Sequence, residues 1–460
     1  MTDNNEKYRQ LRCQYPQFDY EAYHWEVSDE GLRLWFDFRI GDIEFHPTAL
    51  FERRPFLDFD LDKKLVDRLV FDIGMIELIS YWKCACPPTV RILCGSLTDG
   101  QKAFWLKLYW HGLGEFFYTN GLAPDPSPKG EGSDVFLTIQ CEDHPLAPLP
   151  LSDCRCADSD AYLVPIGGGK DSVVTLELLR RAGKEIRPLI MNPRGATREC
   201  ARVAGFPIDE VLVVRRTIDP MLLELNSKGY LNGHTPFSAM LAFYTRLASA
   251  LSGIPNVALS NESSANESTV IGSDVNHQYS KSLEFEDDFR SYCHGFNYFS
   301  FLRPLSELQI AMLFSRFTQY HDVFRSCNVG SKQDIWCGHC AKCLFAYIIL
   351  SPFIEPAEIN RIFGKSMLDD LSLEHEFRQL LGEEETKPFE CVGTVGEVRQ
   401  ALAMTIDRWY PTEHKPALLN GLNALNAFNG PNALDDLLPI GNLTPEERKI
   451  LQDACSAKTN

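Results

Sequence analysis

The chain has 460 residues, 44% of them hydrophobic, with a formal net charge of −18. That length exceeds one small core, so two or three domains are expected. The acidic balance argues against a nucleic-acid partner, because gripping a polyanion needs a basic face.

The opening MTDNNEKYRQLRCQYPQFDY has no apolar h-region, and no apolar run reaches bilayer length, the nearest being LFAYIIL. Neither a secretory leader nor a membrane partner is therefore expected. Fifteen cysteines, odd in number and scattered, do not form a disulfide framework.

Residues 1–150 read as an α+β domain. YHWEVSDEGLRLWFDFRIGDIEFHP alternates apolar and polar residues around a DEG turn, as an antiparallel pair does. DKKLVDRLVFDIGMIELISYWKCACPP has helical spacing and stops at Pro87-Pro88. VRILCGSLTDGQKAFWLKLYWHGLGEFFYTNG is expected to return to strands, with Gly112 and Gly114 marking either a backbone approach to a ligand or a β-bulge. Glu115 beside them is either an acid/base or a solvated strand residue. The Pro-rich EDHPLAPLPLSDCRCADSD is expected to be a linker.

From 151 to 355 short apolar runs (YLVPI, IRPLIMN, DEVLVVR, VALSN) alternate with amphipathic helices at 171–182, 197–204, 236–252 and 306–320. That alternation predicts an α/β domain, a central doubly wound parallel sheet covered on both faces. Residues 356–460 are expected to be mainly helical. The Asn/Leu-rich stretch NGLNALNAFNGPNALDDLLP carries no assigned role.

Within YLVPIGGGKDSVVTLELLRRAG, Gly167, Gly168 and Gly169 join a buried strand to a helix. Glycines there let backbone N–H groups approach an anion, and the helix N-terminus adds partial positive charge. Lys170 can add a cation, and Asp171 and Ser172 can cap the helix. A Walker A loop is excluded because Asp171 follows the lysine and the first Gly is missing; a G-x-G-x-x-G fingerprint fails at Ser172. The stretch resembles the PP-loop of ATP-pyrophosphatases, S-G-G-x-D-S, with Gly167 in place of the leading Ser. The resemblance implies an adenine nucleotide alpha hydrolase-like fold, cleavage of ATP between its α and β phosphates, and Mg²⁺ on the phosphates. Nucleoside contacts are then expected from IMNPRGAT and ALSNESSANEST, with Asn261 and Glu262 as candidates; a solvated Ser/Asn loop is the alternative.

RSCNVGSKQDIWCGHCAKCLFAY sets Cys327, Cys337, Cys340 and Cys343 in a C-x9-C-x2-C-x2-C pattern. Four thiolates so spaced can close a tetrahedron around structural Zn²⁺, an iron–sulfur cluster being the rival. The arrangement is similar to the zinc site of the 7-cyano-7-deazaguanine synthases, and RPLSEL precedes it much as a Pro-Leu motif does there.

Taken whole, the chain resembles the UDP-N-acetylmuramoyl-L-alanyl-L-glutamate epimerases (MurL), on WHGLGEFFYTNG, IGGGKDSVVTLELL, NGHTPFSA, WCGHCAKC and KPFECVGT. The resemblance implies an isomerase that adenylates a glutamate carboxylate, inverts the α-carbon, and releases AMP and diphosphate. It further implies a UDP-MurNAc-dipeptide substrate, a role in peptidoglycan synthesis and a cytoplasmic location. A deazaguanine-type ligase and a non-catalytic ATP-binding regulator are the alternatives.

Lys170, Asp171 and Cys391 are the candidate catalytic residues. A thiolate is a good carbon base, though Cys391 also reads as a small buried hydrophobe in a strand. Arg194, Arg198 and Arg303 can bind diphosphate or carboxylate groups, or stand as ordinary ion-pair arginines. His234 is either beside the nucleotide or a satisfied core histidine.

Overall fold

The computed structural model describes residues 4–122, 136–142, 160–270, 272–294, 296–411, 415–420, 434 and 436–457. The expected linker and most of the Asn/Leu-rich stretch lie outside them. The described chain is mixed α/β, and it separates into two compact units that interleave in sequence. Unit 1 comprises 1–159, 212–256 and 274–297; unit 2 comprises 160–211, 257–273 and 298–460. The boundaries differ from those expected at 150 and 355: two stretches of the predicted α/β segment belong to unit 1, and the helical C-terminal region shares unit 2 with the glycine turn.

In unit 1, strands Gln17–Ser28 and Gly31–Ile40 form the expected antiparallel hairpin, closing at Ser28 opposite Gly31. Its inward residues Leu32, Leu34, Phe36 and Phe38 are fully buried. Thr48–Glu52 adds antiparallel to the hairpin, and Leu212–Arg216 adds antiparallel to Thr48–Glu52. On the other side Thr89–Ile92 and Thr138–Cys141 add in parallel. The DEVLVVR run thus forms a strand, as its apolar pattern suggested, with Thr48–Glu52 as an antiparallel neighbour.

Helix Lys63–Trp82 lies across the sheet as predicted, its first amides capped by Asp62. It is apolar nearly all round, and so buried on nearly every face. Its buried charges are therefore paired: Glu77 takes a bidentate bond from Arg216 at 2.6 and 2.7 Å and one from the Tyr244 hydroxyl at 2.7 Å. Asp72 likewise accepts from Tyr292 and meets Arg68 and Arg246.

Residues 99–119 are helical, not extended. Thr98 and Gln101 make a reciprocal capping box at the start of Asp99–Gly112. Trp105, Leu108, Tyr109 and Gly112 are buried at helical spacing, so the aromatics that suggested strands form a helix stripe. Gly112 ends this helix and Gly114 opens the next, Gly114–Thr119, so they mark a helix junction and not a bulge. At Gly112 a Cβ would lie 3.1 Å from the Pro236 ring.

Unit 2 carries a sheet in the order Asn297–Ser300, Asn256–Leu259, Tyr162–Pro165, Ile186–Met191, the last two pairing in parallel. Helices Lys170–Arg181 and Gly195–Val203 follow the last two strands, within two residues of the predicted spans. Helices Pro356–Phe363, Glu374–Leu380, Val395–Trp409 and Pro445–Ser456 make up the C-terminal region, in line with its charged helical pattern. The last of these is tied to the first strand of the unit, because Tyr162 donates to Glu447 at 3.0 Å. Among the described residues, no helix is long and apolar enough to cross a membrane.

Candidate functional site

Strand Tyr162–Pro165 is buried throughout, and its chain turns at Gly167-Gly168-Gly169 directly into helix Lys170–Arg181. Gly168 makes the turn, with φ +85°. A Cβ there would meet the backbone of Ala196 and Thr197 at 3.1 Å, so the second helix approaches as closely as glycine permits. The Gly168 carbonyl is fixed by the Arg325 amide at 2.7 Å.

Gly169 is the N-cap residue, and no side chain caps it. The expected capping by Asp171 and Ser172 is therefore not what forms: both lie in the first helical turn, where Ser172 donates back to the Gly169 carbonyl at 3.1 Å. A turn of glycines leading to a helix start without a side-chain cap leaves room for an anion.

Lys170 is buried and turns inward. Its ammonium is paired with Asp171 and with Glu307 at the start of helix Glu307–Ser315. Burial alone would lower its pKa, yet these two carboxylates outweigh burial and hold the ammonium well above the ordinary lysine value. Burial pushes Glu307 upward while Lys170 draws it back. Lys170 is accordingly an internal counter-charge, paired with carboxylates and not standing free as the added cation expected from sequence. Asp171, 29% exposed, is the open member of the trio.

The polar loop after strand Asn256–Leu259 is ordered from within. Asn261 donates to Ser300 at 3.0 Å, and Ser264 donates to the Glu262 carboxylate at 3.3 Å. Asn261 and Glu262 are both buried, which a solvated loop would not give. Arg303 is fully buried and donates to the Glu262 carbonyl at 2.8 Å and to Ser300 at 3.0 Å. Its guanidinium thus holds the loop's backbone in place, a position unlike the ordinary ion-pair arginine that the sequence offered as one alternative. Arg194 and Arg198 are exposed at the start of helix Gly195–Val203, whose backbone abuts Gly168, and neither guanidinium has an ion pair among the described residues.

The four cysteines converge: Cys327, Cys337, Cys340 and Cys343 place their sulfurs within 4.8 Å of one another. Cys340 and Cys343 are 3.5 Å apart, Cys337 and Cys343 3.7 Å, Cys327 and Cys340 3.9 Å. Sulfurs about 2.3 Å from a tetrahedral zinc stand about 3.8 Å apart, so the donor set fits that ion. Backbone amides point at the sulfurs, Gly330 to Cys327 at 3.1 Å and Cys343 to Cys340 at 3.4 Å. His339 bonds the Cys337 carbonyl instead. Cys391 is half-buried in a loop, not a strand, and its carbonyl accepts from Lys342 of helix Ala341–Leu350.

In unit 1 the structure gathers residues that sequence reasoning had treated singly or missed. Glu115, His234 and His277 come from three separate segments, and one carboxylate oxygen of Glu115 meets Nδ1 of both imidazoles. Burial, then the neighbouring His277, pushes His234 down to about 4. No spacing or motif signals His277; only the fold brings it in. His234 therefore has a partner set of its own in unit 1, in keeping with the satisfied histidine that the sequence offered as one reading.

A glycine turn feeding a helix start with no side-chain cap, a buried ammonium–carboxylate trio and a four-sulfur cluster characterise unit 2, which is of mixed α/β class. The MurL N-terminal domain family matches residues 9–301 and the MurL C-terminal domain family residues 323–426. The chain is 36% identical over 355 residues to the UDP-N-acetyl-alpha-D-muramoyl-L-alanyl-L-glutamate epimerase of Xanthomonas oryzae pv. oryzae, covering 73% of this chain and 74% of that one. It is 37% identical over 343 residues to the protein of the same name from Salinispora tropica, with 72% of each covered. To that of a Micromonospora species it is 35% identical over 352 residues, covering 73% of this chain and 75% of the relative. The chain belongs to the MurL epimerase family.

Proposed function

We propose that this protein is an isomerase that inverts the terminal L-glutamate of UDP-MurNAc-L-Ala-L-Glu in peptidoglycan precursor synthesis, at the expense of ATP. The observation that carries the reading is the Gly167–Gly169 turn opening onto an uncapped helix start, in a chain of this family. Backbone amides of that turn and the first helical turn hold the outer phosphates of ATP. A glutamate carboxylate oxygen attacks the α-phosphorus, the bond to the β-phosphate breaks, and diphosphate leaves.

The resulting acyl-adenylate lowers the cost of removing the α-proton, because the new negative charge spreads onto a neutral acyl oxygen and not onto a carboxylate. One group removes the proton, another returns one to the opposite face, and water then splits the anhydride to release AMP. Asp171 would hold Mg²⁺; its partial exposure beside the turn, with Glu307 and Lys170 sealed behind it, supports that role. When bound, that ion neutralises phosphate charge. Arg194 and Arg198 supply cations at the same turn. The four cysteines hold structural Zn²⁺, which fastens the segment carrying Arg325 and Ser326, whose atoms wall the turn at Gly168 and Gly169.

The test is incubation with ATP, Mg²⁺ and UDP-MurNAc-L-Ala-L-Glu in D₂O. AMP together with deuterium at the glutamate α-carbon is the expected result, and Asp171→Ala abolishes both. AMP without exchange would point to a C–N or C–S bond-forming ligase, absence of AMP to a nucleotide-binding regulator, and ADP would overturn the α-phosphate mechanism.

A further inference from the structure

We propose that Glu115, His234 and His277 of unit 1 form a second metal site, for a divalent transition ion, distinct from the four-cysteine cluster. The three donor atoms lie within 4.8 Å of one another. His234 Nδ1 is 3.1 Å from Glu115 Oε2, His277 Nδ1 is closer still to the same oxygen, and the two rings are 4.7 Å apart, tilted by 54°. Ligands about 2.0–2.2 Å from a tetrahedral ion stand about 3.3–3.6 Å apart, so the set closes on an ion with side-chain adjustments alone.

The backbone that presents these donors is fixed from outside. Gly233 has φ +159°, and a Cβ on it would meet the Phe116 ring at 3.0 Å, so the segment carrying His234 lies directly on the helix carrying Glu115. Asn120 of that region bonds the Asn232 carbonyl at 3.1 Å. Lys83 holds the same segment through the carbonyls of Gly233 and His234 and through the Thr235 hydroxyl. The third segment is shaped by Asn276, whose side chain accepts from the Gln278 amide at 2.7 Å across His277. These contacts fix the backbone from which the two imidazoles and the carboxylate project.

The donors also indicate what the site takes. Two imidazoles and one carboxylate suit Zn²⁺, Co²⁺, Ni²⁺, Fe²⁺ or Mn²⁺, whereas Mg²⁺ and Ca²⁺ call for oxygen. The side chains keep 12–19% of their surface, so a fourth position stays open to water or to a ligand oxygen. With one carboxylate against a divalent ion the site carries net positive charge, and its exogenous ligand is an anionic oxygen such as a carboxylate. This assignment stands on unit 1 alone and is independent of the nucleotide chemistry proposed for unit 2.

The test is Co²⁺ titration of the full-length, metal-stripped, reduced protein, read by uptake and by absorption. Thiolate-bound cobalt gives an intense charge-transfer band; cobalt on nitrogen and oxygen gives only weak ligand-field bands. Two equivalents are expected for the unaltered chain, the second without any gain in the thiolate band. His277→Asn and Glu115→Gln should each lose that second equivalent and keep the thiolate band and the circular-dichroism melt of the parent. Cys340→Ser should show the reverse. Uptake of a single, wholly thiolate-bound equivalent by the unaltered protein, or retention of both equivalents by His277→Asn and Glu115→Gln, would overturn the proposal.

Discussion

Replacing each glycine of the 167–169 turn by alanine should give three different outcomes from one chemical change. At Gly168 the added Cβ enters a backbone conformation of φ +85°, which costs an L-residue about 1–2 kcal/mol. It also sits 3.1 Å from Ala196 and Thr197 backbone atoms, which cannot swing aside as a side-chain end can. Crowding of that kind adds about 1 kcal/mol or more, so the total loss is about 2–3 kcal/mol. At Gly167 nothing lies within 4 Å of the added carbon and φ is not positive. The only effect there is on the unfolded chain, which loses freedom, and the variant should gain up to about 0.4–1 kcal/mol. Gly169, at φ −92° with the Ser326 Cβ 3.2 Å away, falls between. Urea unfolding with equal slopes for the three variants gives the ranking directly. If Gly168→Ala unfolded at the same urea concentration as Gly167→Ala, the close approach of the two helices at this turn would be refuted.

Glu77→Ala strips Arg216 of its bidentate partner inside unit 1 and Tyr244 of its acceptor, and should cost about 3–5 kcal/mol in urea unfolding. Cys340→Ser should release the zinc proposed for unit 2, seen as one fewer equivalent by elemental analysis, and lower the thermal midpoint. His321 is held below the ordinary imidazole value, first by burial, with Glu358 opposing. Between the ordinary imidazole value and the lower folded one, the unfolded chain takes up a proton that the native state refuses. Stability is thus complete above about pH 7 and falls as the pH drops below about 6.5. His321→Phe should flatten that slope relative to the parent in melts from pH 7.5 to 5.

Short-range pattern was readable where one physical rule acted alone. The DEG hairpin follows from period-two alternation, and helix Lys63–Trp82 from its continuous apolar face and the Pro-Pro stop. The stretch 99–119 misled because Trp and Tyr favour strands by composition, while their positions, at four-residue spacing beside a capping box, favour a helix. Lys170 misled for a different reason: its residue type fits a phosphate cradle, but Glu307, 137 positions away, claims the ammonium. The four cysteines could be found because their spacing is itself the signal. Glu115, His234 and His277 could not be found as a set, since no local pattern ties them together.

The interleaving of the two units has a consequence for how this protein comes off the ribosome. The chain passes between units five times, and the last piece of unit 1 ends at residue 297. Strand Thr48–Glu52 gets its outer partner, Leu212–Arg216, only after more than 150 further residues have been made. Early synthesis therefore leaves an open sheet edge in the cell, a hazard for aggregation that a holding chaperone relieves. By the same logic, a fragment cut at residue 150 lacks a strand of its own sheet and should precipitate, so dissection of this enzyme calls for circular permutation, not truncation.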